Sequence, residues 1–321
     1  MSTPAQALAA LMQQHLGADI GADSMQLIAT GASGRSIMRS AHAAAAGLLG
    51  VYWTPDRADN ASFVPVARCL EAAGMNVPHI PLTADYGEGC GACLVQDLGQ
   101  EDLLSLRDAP WPVRKAAYAR AFAALLPLHR LTPTVELQPA FDAAMYRWEQ
   151  EYFAEHLVAR HLGKNADDFL AHAPLMQMAE RLAALPRVPV HRDCQSQNIM
   201  LHAGKAWLID FQGMRYGRAE YDIASLIYDP YMDFSETESD ELLALYAELN
   251  GGTPNAEIFC ACAMQRLMQA LGAFANIGYN QQREWYLNLI PTGLRKLRQV
   301  AARVPVGTPT AEVAQWLLTV V

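Results

Sequence analysis

The residues from His191 to Asn198 have the sequence His-Arg-Asp-Cys-Gln-Ser-Gln-Asn, and Asp210 follows twelve residues after Asn198. This order of side chains suits phosphoryl transfer, because Asp193 can accept a hydroxyl proton and orient the attacking oxygen. Asn198 and Asp210 offer the hard oxygen ligands that Mg²⁺ prefers. His191 would brace the loop through hydrogen bonds. The pattern therefore predicts an ATP-dependent phosphotransferase with Asp193 as its base and Asn198 and Asp210 as its Mg²⁺ ligands.

The same residues also allow a purely structural interpretation. In that interpretation Asp193 caps a helix and Asn198 occupies a polar turn. The segment 206–209 favours the kinase interpretation, because it is a short apolar strand that leads into Asp210 and Phe211. A catalytic loop, then a strand, then Asp-Phe is the order that kinases require.

Two regions with different patterns of apolar residues must position these side chains. Short apolar runs between turn signals predict strands at 25–30, 37–39, 48–53 and 92–96, with one helix at 63–73. From about residue 100 the apolar spacing becomes helical, with helices predicted at 112–130, 141–162 and 167–185. Helices resume near Tyr221 and dominate after Ala256, and the pair Thr308-Pro309 predicts the start of a last helix. The fold class is therefore α+β, with a small, mainly β lobe at 1–97 and a larger, mainly helical lobe at 98–321.

Composition excludes several classes of protein. The 321 residues include 24 basic and 33 acidic side chains, a net charge of −9, and we find no run of Lys and Arg of the kind that binds nucleic acid. No segment approaches the roughly 20 apolar residues that cross a bilayer, and the N-terminus resembles a helix more than a signal peptide. Cys90 and Cys93 have the spacing of half a zinc site, but small buried thiols are the better interpretation. We expect a cytoplasmic protein that acts on small molecules, with no nucleic-acid or membrane partner.

The catalytic segments resemble those of the aminoglycoside phosphotransferase and choline-kinase-like family, which has the protein-kinase-like two-lobe fold. Within that family, several segments are similar to the bacterial kinases that phosphorylate N-acetylmuramate and N-acetylglucosamine at the anomeric hydroxyl. Among them are the Asp-Phe-Gln at 210–212, the Tyr-Asp-Ile-Ala-Ser-Leu at 221–226 and the Ala-Ser-Gly-Arg at 32–35. The resemblance extends to about residue 274 and implies ATP and Mg²⁺ as cofactors and an amino sugar as acceptor.

The resemblance also implies roles for single residues. The loop over the phosphates would consist of Ala32, Ser33, Gly34, Arg35 and Ser36. Backbone groups of Val95, Asp97 and Leu98 would hinge the lobes and hold adenine. Glu149, Gln195 and Gln212 would contact the acceptor, although Glu149 and Gln195 could equally face solvent. Arg192 and Asp222 could pair to fix the catalytic loop, and Asp222 could also cap a helix that starts near Ile223.

The sequence departs from a typical kinase in its phosphate-binding residues. The strand 48–53 contains no Lys or Arg to neutralise the α- and β-phosphates, a gap that the sugar kinases share. Arg35 or Arg39 could supply this charge, or both could be solvated arginines. Aromatic side chains could line a sugar pocket, although burial in the core is the better expectation for most of them. These candidates are Tyr52, Trp53, Tyr146, Trp148, Tyr152, Tyr228 and Tyr231.

Three functions remain open on sequence alone. The first is a sugar 1-kinase. The second is a kinase of the same fold with another acceptor, such as an aminoglycoside, choline or another sugar. The third is a catalytically silent, pseudokinase-like binding protein, which the missing lysine suggests and the intact Asp193, Asn198 and Asp210 oppose.

Overall fold

The computed structural model describes residues 3–30 and 34–321, and its longest sheet has five strands. The strand order is β1-β2-β3-β5-β4, and every neighbouring pair is antiparallel. These strands are β1 Met25–Thr30, β2 Ser36–Ser40, β3 Leu48–Trp53, β4 Leu82–Gly87 and β5 Cys90–Gln96. Two shorter sheets pair β6 Val188–Val190 with β9 Arg215–Gly217, and β7 Ile199–His202 with β8 Lys205–Leu208.

Helix α1 (Pro4–Leu16) packs against the five-stranded sheet. Its ends follow from sequence, since Thr3 forms a capping box and Gly17 adopts the left-handed conformation that ends a helix. Leu8 and Met12 are fully buried, and each contributes about 1.5–3 kcal/mol of burial free energy. Gly50 on β3 leaves room for the Leu8 side chain. A Cβ at position 50 would lie 2.9 Å from a Leu8 methyl carbon, closer than van der Waals contact allows.

The remaining α-helices are α2 Phe63–Ala72, α3 Trp111–Leu125, α4 Ala143–Phe153, α5 Ala166–Leu170, α6 Ala173–Ala184, α7 Ala219–Ile227, α8 Glu236–Asn250, α9 Ala256–Asn280, α10 Ile290–Ala302 and α11 Pro309–Val320. Helix α4 continues into a π-helical segment, Ala154–His161. Helix α9 is the central one, since it contacts α4, α7 and α10.

The chain divides into two compact units. The first unit consists of Met1–Glu101, Thr132–Gln138 and Met200–Met214, and it contains the five-stranded sheet. The second consists of Asp102–Leu131, Pro139–Ile199 and Arg215–Val321, and it is mainly helical. The assignment of nucleotide binding to residues 1–97 and of catalysis to 98–321 stays a prediction.

Helix α9 is long and apolar enough to cross a membrane, although no such segment was expected from the sequence. However, 83% of its most apolar 18-residue window is buried inside the protein. Burial of this helix against its helical neighbours accounts for its apolar composition.

Most sequence-predicted elements are confirmed, and the differences have local causes. Strands β4, β6, β7 and β9 were not predicted. Polar residues weaken the apolar pattern of β4, and the other three have only three or four residues. The helix predicted at 167–185 is two helices, since Pro174 starts α6 rather than continuing α5. Helix α7 begins at Ala219, so the prediction that Asp222 caps a helix is wrong, and Arg218 occupies that position.

Candidate active site

The catalytic loop begins where β6 ends, and Asp222 on α7 holds its backbone. The Asp222 carboxylate accepts the backbone N–H groups of His191, at 2.7 Å, and of Arg192, at 2.8 Å. Nε2 of His129 lies 3.1 Å from the same carboxylate. Asp222 and His191 are fully buried, so these bonds satisfy polar groups that water does not reach. The Asp222 side chain thus fixes the backbone of the catalytic loop.

Further contacts define the conformation of the loop after Arg192. Arg192 has a positive φ of 77°, a conformation that costs a non-glycine residue about 1–2 kcal/mol. Nδ2 of Asn198 donates to the backbone carbonyl of Asp193 at 2.8 Å, which leaves the amide oxygen as the group available to a metal. The carboxylate of buried Asp229 accepts the N–H of Ser196 at 2.7 Å. Side chains of two distant segments therefore hold the loop on both sides of Asp193.

The charge at Asp193 is supported by several cations. Burial alone would raise the pKa of this carboxyl group, but Arg192, Arg266 and His191 lower it below its usual value. Nη1 of Arg192 lies 3.6 Å from Asp193, and the Asp193 side chain keeps about a third of its surface exposed. Asp193 is therefore ionised at neutral pH and accessible, as a general base must be.

Gln195, the predicted acceptor contact in this loop, touches Arg266 of α9. Nη2 of Arg266 lies 3.5 Å from the Gln195 side-chain oxygen. Nε of Arg266 donates to Ser225 on α7 at 3.1 Å, and the guanidinium also contacts Gln269. Arg266 is itself buried, so it links the loop to two helices of the second unit.

Glu149 on α4 is fully buried, so the interpretation of this residue as a solvated glutamate is wrong. Its carboxylate accepts a 2.7 Å hydrogen bond from the Tyr221 hydroxyl and a 2.9 Å bond from Nε2 of Gln265. Burial raises the Glu149 pKa to about 7, although the two hydrogen bonds and the charges of Arg192 and Arg266 oppose the rise. The carboxyl group is thus poised to gain or lose a proton near neutral pH.

Asp210 lies in the first unit, where it follows β8 with a positive φ of 62°. Its carboxylate pairs with Arg35 and accepts a 3.1 Å hydrogen bond from Nε2 of Gln212. The Arg35 guanidinium also lies 4.9 Å from the ring of Phe63, which stacks on Phe211. Arg35 is 4% exposed, so the interpretation of this residue as a solvated arginine is wrong.

Gln212 is buried, and it leaves one polar atom unsatisfied. Within residues 3–30 and 34–321, its side-chain oxygen has no hydrogen-bond partner. A buried acceptor without a donor costs about 1–3 kcal/mol, so a ligand that supplies a donor would recover this energy. This observation supports the predicted contact of Gln212 with the acceptor, which stays a prediction.

Of the predicted nucleotide-binding residues, Ala32 and Ser33 lie outside the described residues. Gly34 has a φ of 72°, and Ser36 begins β2. Asp97 makes a bidentate ion pair with Arg39, at 2.7 and 3.0 Å. The N–H of Asp97 donates to the Gly47 carbonyl at 2.8 Å.

Val95 and Leu98 are buried in the same unit, and the Leu98 carbonyl lies 3.0 Å from Nδ1 of His202. The backbone groups at 95–98 are therefore partly engaged within the first unit. Their contact with adenine stays a prediction.

The donor set fits Mg²⁺ better than a metal bound by protein ligands alone. Among the described residues, no group of three or more His, Cys, Asp or Glu could hold a metal ion. Mg²⁺ usually takes one or two carboxylates and completes its octahedron with phosphates and water. The Asp210 side chain keeps 38% of its surface exposed, and the Asn198 amide oxygen is the free end of its group. Each oxygen is of the type that Mg²⁺ takes. That the two bind one ion together stays a prediction.

Comparison with known proteins identifies the class. The model of the phosphotransferase enzyme family known as APH matches residues 26–259, and the chain belongs to this family. It is 30% identical over 272 residues to the N-acetylmuramate/N-acetylglucosamine kinase of Pseudomonas aeruginosa. The aligned stretch covers 78% of this chain and 76% of that kinase. The kinase of the same name from Neisseria meningitidis is 29% identical, with coverage of 78% and 77%.

A solved structure shows the same fold. The aminoglycoside phosphotransferase of Streptomyces rimosus in complex with ADP and streptomycin superposes with a TM-score of 0.60. The match covers 84% of this chain and 99% of that one, at 16% sequence identity. The protein is therefore a phosphotransferase with the protein-kinase-like α+β fold that the sequence predicted.

Three residues around the loop were not found from the sequence. His129, Asp229 and Arg266 contact Asp222, Ser196 and Gln195 respectively, at sequence separations of 93, 33 and 71. No local motif marks them. The available signal was a charged or titratable side chain within an otherwise apolar helical stretch, as at Arg266 in α9.

Proposed function

We propose that this protein is an ATP-dependent kinase that phosphorylates the anomeric hydroxyl of N-acetylmuramate and N-acetylglucosamine. The observation that carries the proposal is the 30% identity to an N-acetylmuramate/N-acetylglucosamine kinase over a stretch that covers 78% of the chain. The reaction belongs to the recycling of cell-wall sugars in the cytoplasm, where ATP is available.

Asp193 is the base of this reaction. The anomeric hydroxyl binds within hydrogen-bond reach of the Asp193 carboxylate, which takes its proton as the oxygen attacks the γ-phosphorus of ATP. The bond between the γ-phosphorus and the oxygen that bridges it to the β-phosphate breaks, and ADP leaves with that oxygen. The neighbouring Arg192 and Arg266 keep Asp193 ionised before the attack. Asp222 supports this step by holding the backbone N–H groups just before Asp193.

Asn198 and Asp210 would hold Mg²⁺, which would supply positive charge to the phosphates of ATP. The proposal of these two ligands rests on the motif and on the oxygen that each side chain leaves available. Arg35 adds positive charge in place of the usual lysine, since its guanidinium lies against Asp210. Gly34, Ser36 and the backbone at 95–98 contact the nucleotide.

The acceptor contacts Gln195, Gln212 and Glu149. Gln212 offers a buried oxygen that needs a donor, which a sugar hydroxyl or acetamide N–H supplies. For Glu149 the proposal requires a sugar hydroxyl to replace or join the donors Tyr221 and Gln265.

A screen of ATP consumption tests the proposal. The purified protein with Mg-ATP is offered N-acetylmuramate, N-acetylglucosamine, simple hexoses, choline and aminoglycosides, with the Asp193→Ala variant as control. We expect turnover with the two amino sugars and none with the variant. Preferential turnover of choline or an aminoglycoside would refute the acceptor, and no turnover together with no Mg-ATP binding would refute the kinase.

A further inference from the structure

Four aromatic rings gather in the second unit and form what we call the Trp285 cluster: Tyr231, Phe274, Trp285 and Tyr286. The rings of Trp285 and Tyr286 lie 4.1 Å apart, between centroids, in a tilted stack. Tyr231 is 6.3 Å from Trp285 and makes an edge-on contact with Phe274 at 5.4 Å. Phe274 is also 6.0 Å from Tyr286, so each ring contacts two others.

The rings of the cluster differ in their exposure to solvent. Tyr231 and Phe274 are about 95% buried, whereas Trp285 is 51% exposed. A single exposed aromatic residue is ordinary on a protein surface. Trp285 differs because the rings beneath it keep its face in position, so that a ligand loses little conformational entropy in stacking on it.

The cluster connects to the catalytic loop through Asp229. The N–H of Tyr231 donates to one oxygen of the Asp229 carboxylate at 3.0 Å. The other oxygen accepts the N–H of Ser196 at 2.7 Å. Ser196 is the third residue after Asp193, so two hydrogen bonds link the loop to the backbone of the cluster.

Helix α9 makes a second connection. Phe274 lies eight residues after Arg266, which is about 12 Å along the helix. Arg266 reaches Gln195, two residues after Asp193. Burial, Tyr286 and Asp229 raise the pKa of the Tyr231 hydroxyl, and the charge of Arg266 opposes the rise.

We propose that the exposed face of Trp285 binds the pyranose ring of the acceptor, with Tyr231, Phe274 and Tyr286 as its support. This inference rests on the proposed function and names a specificity determinant for it. A pyranose with equatorial substituents presents axial C–H groups on its faces, and these pack on a flat aromatic ring. The axial 4-hydroxyl of a galacto sugar lies on one face of the pyranose, so it weakens the stack if that face is the one that meets the Trp285 ring.

The test compares Trp285→Ala with wild type in steady-state kinetics with N-acetylglucosamine and N-acetylgalactosamine. In the variant we expect the KM and Kd for N-acetylglucosamine to rise about tenfold, a loss of about 1.4 kcal/mol. The kcat and the KM for ATP should stay within about threefold, because Trp285 touches neither the base nor the nucleotide. Discrimination between the two sugars should shrink, and Trp285→Phe should retain most of both properties.

Trp316→Ala is the matched control. Trp316 is a partly exposed tryptophan of α11 that stacks on His172 at 4.9 Å, outside the Trp285 cluster. We expect sugar and ATP kinetics of wild type from it. Unchanged sugar KM and Kd in Trp285→Ala would overturn the inference while the proposed function stands. A wild-type enzyme that turns over no amino sugar would overturn both.

Discussion

The carboxylate of Asp222 accepts a 2.8 Å hydrogen bond from the backbone N–H of Arg192, a residue that adopts a left-handed conformation. The bond stabilises a strained backbone immediately before Asp193. A charge-assisted bond to a buried carboxylate contributes about 1.5–3 kcal/mol, enough to offset the cost of that conformation. The geometry at the base therefore depends on a residue of another helix.

Replacement of Asp222 should damage catalysis more than nucleotide binding. In Asp222→Asn one acceptor becomes an amide N–H₂ that opposes the loop N–H groups, so the loop shifts. A displacement of about 1 Å at the base costs about 100-fold in rate, and we expect kcat to fall by that order. Steady-state kinetics and calorimetric Mg-ATP titration measure the two effects. Asp233→Asn, at an exposed ion pair with Arg295, is the control and should behave as wild type; a near-normal kcat in Asp222→Asn would contradict this role.

Asp193→Ala should lower kcat by about 10²–10⁴-fold, which is the rate enhancement that a general base typically supplies. The Kd for Mg-ATP should stay within about threefold of wild type, because the proposed metal ligands are Asn198 and Asp210. Single-turnover kinetics and calorimetry check the two parts. A variant with the wild-type rate would show that Asp193 is not the base.

Glu149 should make the stability of the protein depend on pH. Its pKa in the folded protein is about 7, against a usual value of 4.5, so the folded state holds the proton more tightly than the unfolded chain. The free energy of unfolding should therefore fall as pH rises from about 4.5 to about 7, by up to about 3 kcal/mol, and then level off.

Urea unfolding at several pH values measures this dependence. Glu149→Gln should flatten the curve in that window, because the amide does not titrate. Glu151→Gln, on the same helix but exposed, should keep the wild-type slope. Parallel curves for Glu149→Gln and wild type would mean that Glu149 ionises at its ordinary pKa.

Arg35 should matter more than Arg39 for nucleotide affinity. Arg35 pairs with Asp210 and so lies beside a proposed Mg²⁺ ligand, whereas both Arg39 contacts go to Asp97. We expect Arg35→Ala to weaken Mg-ATP binding about tenfold or more, and Arg39→Ala to change it about threefold or less. Arg68→Ala, which removes an exposed arginine of α2, controls for net charge. Equal losses for Arg35→Ala and Arg39→Ala in calorimetry would refute the distinction.

Local patterns predicted the parts of the fold that depend on local physics. The short apolar run of β1 and the stop signal at Gly74 each lie within a few residues, and both elements appear where expected. The segment from His191 to Asn198 was found for the same reason, since its chemistry requires a fixed spacing. The short strands β6, β7 and β9 were missed, because three or four residues give only a weak pattern. Strand β8 is as short, but its apolar run leads into the Asp-Phe of the motif.

The environment of the site depends on contacts between distant segments. Glu149 lies 72 residues from Tyr221 and 116 from Gln265 in the sequence. Only the folded structure shows that these two side chains donate the hydrogen bonds that water would otherwise give to the Glu149 carboxylate. A glutamate is rarely buried, so from the sequence a solvated Glu149 and a Glu149 that contacts the acceptor had equal weight. The ring contacts of Trp285 could not be predicted from the sequence either, because Tyr231 lies in a distant segment of the chain.

³¹P NMR of the product formed from N-acetylmuramate and Mg-ATP shows directly whether this protein is an anomeric amino-sugar kinase. We expect a new phosphomonoester resonance split by the anomeric proton, formed in step with ADP and absent with Asp193→Ala. ATP left intact, or a phosphate resonance coupled to a proton at another carbon, would contradict the proposal that this protein is an anomeric amino-sugar kinase.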